Sequence, residues 1–238
     1  MTILAAGLSV CAIPSYAQQW QTSDAASVRE CFQRNDRQYA SMVNMKLTTL
    51  LSSYRNAGDA LPNDKGSSIV WRTGDSYKAE HLGMTTYQDK QLSVLIDPAE
   101  RTIMVSAPTD MMASMRGAMQ DSMFAHVAKI GRASLGDGTH FRLKFTPGAL
   151  YDVMELVFDP QGWLRREDVY WGQPVTLNPD DPASGVAYPK VVFAFGVPEQ
   201  IDPSTVDADP ASVVAWKDGE PVALGSWKDY AVFDTRPK

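Results

Sequence analysis

Between Ser68 and Ser106 the chain is cut into pieces too short to be stable helices. Ser68–Arg72, Ser76–Leu82, Thr85–Tyr87, Leu92–Ile96 and Thr102–Ser106 each end at a turn built from Gly, Asp or Pro, such as Thr73-Gly74-Asp75 and Asp97-Pro98. Turns at this spacing between segments rich in β-branched and aromatic residues predict an antiparallel meander. The pattern resumes after an interruption, with Ala128–Leu135, His140–Phe145, Leu150–Phe158 and Trp163–Tyr170 as further strands. Phe141, Leu143 and Phe145 alternate there with His140, Arg142 and Lys144, as in a sheet with one wet face.

A long strand, Met42–Tyr54, precedes the meander, and a short one that is apolar on both faces, Val191–Phe195, follows it. Strands apolar on both faces need a second layer. Of two helical segments, the central one is the obvious cover. Ser23 to about Arg37 reads as a helix capped by Ser23 or Asp24, with Val28, Cys31 and Phe32 as its apolar stripe. Pro108 opens a second helix, reaching His126 or Val127, in which Met111, Met115, Met119 and Met123 recur every four residues. The expected fold is therefore α+β and mainly β: a large curved antiparallel sheet, an unclosed half-barrel, wrapped around a central helix and preceded by an N-terminal one. Residues 198–210, rich in Pro and Asp, are expected to be irregular, ahead of a last pair of strands near Val213–Trp216 and Tyr230–Phe233. No linker divides the chain, so residues 18–238 are read as one domain.

Residues 1–17 read as an export signal. The apolar run Ile3–Ile13 is too short to span a bilayer, and Ser15 and Ala17 put small residues where a signal peptidase cuts. No Lys or Arg precedes the run, which points to a translation start further upstream; the alternative to an export signal is a buried N-terminal strand. Cys11 follows a Val where a lipobox needs Gly or Ala, so lipidation is not expected. Cleavage after Ala17 leaves Cys31 alone, with no intramolecular disulfide possible. The expected address is the periplasm, with no transmembrane segment in the mature chain. A net charge of −6 and dispersed basic residues argue against nucleic acid as a partner.

Catalytic signatures are scarce. His81, His126 and His140 lack metal-ligand spacing, and there is no Gly-x-Ser-x-Gly elbow and no phosphate loop. Asp180-Asp181 lacks the alternating acidic spacing of a calcium loop. In Arg165-Arg166-Glu167-Asp168, alternation puts Arg165 with Glu167 and Arg166 with Asp168, which predicts ion pairs rather than acid–base groups. No enzymatic activity, metal or cofactor is expected. The methionine helix differs, because Met repacks against variable apolar surfaces. Its stripe reads either as core or as one wall of an acyl-chain cavity. Met111, Met115, Met119 and Met123, with Trp71, Phe141 and Phe145 from the sheet, are the candidate lining.

The order of elements resembles the LolA/LolB-like outer-membrane lipoprotein carriers. It rests on a strand ending at Tyr54-Arg55-Asn56, the phrases Gly74-Asp75-Ser76-Tyr77-Lys78 and Tyr87-Gln88-Asp89-Lys90-Gln91, then Asp97 to Val105, a helical insertion and further strands. The resemblance spans Tyr39 to Phe233. It implies an unclosed barrel with helices in its mouth, enclosing an apolar cavity for lipid tails, and it carries over no individual residue. The expected function is a periplasmic carrier of lipid or lipoprotein acyl chains. A non-enzymatic interaction module binding envelope proteins is the alternative, and a hydrolase without a recognisable motif ranks third.

Overall fold

The computed structural model describes residues 20–109, 124–136, 138–177, 180 and 185–236. The expected export segment and the methionines at 111, 115, 119 and 123 lie outside them.

The chain opens with β1 (Gln21–Ser23) and α1 (Ala25–Ser41). Asp24 is the cap: its Oδ1 accepts the Ser27 backbone N–H at 2.8 Å. A meander follows as β2 (Asn44–Tyr54), β3 (Asp64–Thr73), β4 (Ser76–His81), β5 (Met84–Gln88), β6 (Ser93–Asp97) and β7 (Thr102–Ser106). After the interruption come β8 (Val127–Leu135), β9 (Gly138–Phe145), β10 (Tyr151–Phe158) and β11 (Leu164–Trp171). The remaining strands are β12 (Val175–Thr176), β13 (Val186–Ala187), β14 (Lys190–Phe195), β15 (Glu199–Gln200), β16 (Val214–Lys217), β17 (Glu220–Ala223) and β18 (Ala231–Asp234).

Fourteen strands join in one sheet in the order β1-β8-β9-β10-β11-β14-β2-β3-β4-β5-β6-β7-β18, with β15 beside β2. The two meanders meet through β14, which pairs with both β11 and β2. The sheet is mixed and not closed: β1 and β18 are its two ends, and β18 runs parallel to β7. This corrects the expected last strand pair. β16 pairs with β17 instead, across an Asp218-Gly219 turn with both residues at positive φ, the backbone that a two-residue hairpin requires.

Opposite faces of the two halves are covered. On the inner face of β8–β11, α1 lays Val28 on Phe141, Leu143, Met154, Leu156 and Phe158, with Cys31 and Phe32 at the margin. Burial pushes the Cys31 thiol up, as befits an inert packing residue. The α1 helix is also pinned by hydrogen bonds. Asn35 Oδ1 accepts the Leu164 N–H at 3.0 Å, and Arg34 donates to the Pro160 carbonyl at 3.3 Å. The Arg34 stem passes so close to Gly162 (φ +94°) that a Cβ there would lie 2.6 Å from its Nε.

The C-terminal segment covers the other face of the other half. Val213 and Val214 pack on Val94, Ile96, Ile103 and Val105 of β6 and β7. Its Pro/Asp-rich approach is more ordered than its composition implies. Asp202 and Asp209 each precede a proline and cap a single helical turn, accepting the N–H of Ser204 and of Ala211 at 2.9 Å. Val213 is 1% exposed. Val213→Ala is expected to lower stability by about 2 kcal/mol, read as a shift in denaturant midpoint.

Candidate functional site

Strand register divides the sheet into an inner face, which α1 covers in part, and an outer face. On the inner face Leu47, Val70, Ala79, Thr86, Leu95, Met104 and Phe233 are successive cross-strand partners from β2 through β7 to β18. Six ladder steps of about 4.8 Å make this row about 29 Å long. Its polarity is uniform, apart from one threonine. Its burial is graded: Leu47 is 1% exposed beneath Tyr39 of α1, whereas Met104 and Phe233 are 44% and 53% exposed. Gln88, also on this face, is buried and grips Thr109 through both amide atoms, donating to its carbonyl at 2.7 Å and accepting its N–H at 3.1 Å. Thr109 is thereby held at the inner face.

A second inner row crosses the other half: Leu51, Phe193, Glu167, Leu156 and Phe141 are successive partners. Glu167 is the misfit. It is 7% exposed, flanked across the strands by Leu156 and Phe193, and its Oε1 has no hydrogen-bond partner among the described residues. Burial, with a smaller contribution from neighbouring Asp168, pushes its carboxyl up from 4.5 to about 7.

The predicted Arg165–Glu167 pair does not form, for a geometric reason. The β10–β11 register shifts between Val157 and Phe158, so Arg165 is an extra residue without a partner on β10 and strict alternation fails there. The Arg166–Asp168 pair does form, with a guanidinium nitrogen 2.8 Å from Oδ2. It belongs to an outer-face ion network in which Glu155 sits 3.7 Å from His140 and 3.4 Å from Arg142. His140 is the largest influence holding the Glu155 carboxyl below its ordinary range; partial burial opposes it.

Of the predicted lining, Phe141 and Phe145 lie together in the cluster beneath α1, at 0% and 4% exposure. Trp71 does not join them. It pairs with Lys46 and Lys78, one residue out of phase with the Leu47–Val70–Ala79 row, and so lies on the outer face, where the Lys78 ammonium sits 5.1 Å from its ring centroid. The methionines fall outside the described residues. The inner apolar row was missed because it exists only across strands. Glu167 was missed because alternation supplied a partner that the bulge removes. Among the described residues no group of three or more His, Cys, Asp or Glu could hold a metal ion. No helix among them is long and apolar enough to cross a membrane.

No family model matches the chain, and no curated protein matches it. Among solved structures it is similar to a DUF1329 family protein from Desulfovibrio piger ATCC 29098, at 10% identity, covering 73% of this chain and 92% of that one with a TM-score of 0.30. At that score the likeness carries no argument about fold or function.

Proposed function

We propose that the protein is an exported carrier that holds acyl chains against the inner face of its sheet, along the row from Leu47 to Phe233. The observation that supports this reading is the row itself. A continuous apolar track that starts buried and ends exposed gives a flexible chain both a dry terminus and an entrance. Contiguous exposed apolar surface is costly in water and marks a binding surface more often than chance. In this reading the segment at 110–123 supplies the central helix, and Met111, Met115, Met119 and Met123 form its adaptable cover over the row. Residues 18–238 act as one domain, and the periplasm is where such cargo travels. The chemistry asked of the protein is binding alone, with no covalent step.

A charge at the open end of the row tests this. Met104→Arg places a guanidinium in the track at an exposed position, where folding tolerates it. Displacement of a fluorescent fatty-acid probe should show affinity reduced tenfold or more, with the thermal unfolding midpoint nearly unchanged. Equal affinity in wild type and variant would overturn the reading.

A further inference from the structure

Glu167 is an expensive residue to keep where it is. A glutamate that is 7% exposed and bracketed by Leu156 and Phe193, with an Oε1 that has no hydrogen-bond partner among the described residues, costs far more than a leucine there. Cationic partners would relieve it, yet no described cation acts on it. Arg166 points to the outer face and is held by Asp168, and Lys190 lies over the Tyr54 ring, 4.2 Å from its centroid. Arg165 is the bulge residue; its Nη1 is buried with no hydrogen-bond partner among the described residues, and its charge acts on Tyr39 of α1. Among the described residues the charged group that acts on Glu167 is Asp168, which has the same sign. The local field therefore repels anions and attracts cations.

We infer that Glu167 is a headgroup anchor on the inner face and selects amphiphiles that bear a cationic amine. This rests on the acyl-binding reading and adds headgroup chemistry to it. The ammonium would donate to the orphaned Oε1 while the alkyl chain lies against the partly buried Phe193 and Leu51 on the same face.

The test uses three probes of matched chain length, dodecylamine, dodecanol and dodecanoate, below their micelle concentrations at neutral pH. Calorimetry follows their binding to the full chain and to its Glu167→Gln and Glu167→Leu variants. Wild type should bind the amine at least tenfold more tightly than the carboxylate. Glu167→Gln, nearly isosteric and so the variant that decides should Glu167→Leu fail to fold, should lose that preference while keeping dodecanol affinity within about threefold. Equal binding of all three probes by wild type, or an amine preference that survives in Glu167→Gln, would overturn the anchor role and leave acyl binding intact. If no probe binds any form of the protein, the acyl-binding reading falls and the anchor role falls with it.

Discussion

Phe141→Ala should cost about 3–5 kcal/mol of folding stability, the range for emptying a fully packed aromatic site. Phe141 is 0% exposed, meets Phe158 edge-on with ring centroids 6.2 Å apart, and carries the Arg132 guanidinium 5.9 Å from its own centroid. Its cluster is anchored on five elements, α1, β8, β9, β10 and β11, so the site cannot collapse cheaply. The loss should appear as a lower denaturant midpoint with an unchanged m-value. If the cost were under 1 kcal/mol, Phe141 would be lining an open cavity rather than filling a core. The same truncation at Phe233, half exposed at the far end of the other row, should cost little and act on ligand binding instead.

Glu167→Gln should behave in the opposite way and become stabilising relative to wild type as pH rises. The folded-state carboxyl is raised from 4.5 to about 7, so between those values the native state binds more protons than the unfolded chain. Stability then falls as pH rises through this window. The full contribution is present below about pH 4.5 and is lost above about pH 7. At about 1.36 kcal/mol per pKa unit, the loss is about 3 kcal/mol. The glutamine cannot ionise, so its stability relative to wild type should gain about that amount between about pH 4 and pH 8. Denaturant titrations at the two pH values read this directly. A constant difference would mean that Glu167 is solvated or paired in the native protein.

Local chemistry made much of this architecture legible. The span of β7, Thr102–Ser106, follows from the preceding Asp-Pro turn and the β-branched run, and the α1 cap follows from Asp24 standing before the Val28 stripe. What stayed hidden depends on pairings distant in sequence. Nothing near Lys190–Phe195 says that this strand lies between β11 and β2, or that α1 and the C-terminal hairpin cover opposite faces. The Asp218-Gly219 hairpin was legible and was passed over, because the Pro and Asp residues before it read as irregular. Those residues form capped turns, in which Asp accepts the backbone N–H and Pro occupies a position that needs none. At the candidate site, a one-residue bulge was enough to separate Glu167 from its expected partner.

Photo-crosslinking tests the central claim most directly. A fatty alcohol carrying a diazirine on its alkyl chain is irradiated with the purified protein, and the labelled peptides are mapped. Labels should fall on the inner-row strands, at Leu95, Met104 and Phe233, and be lost in competition with unlabelled fatty alcohol. Absence of any competable label, or labels confined to outer-face residues such as Trp71 and Lys78, would contradict an acyl-binding inner face.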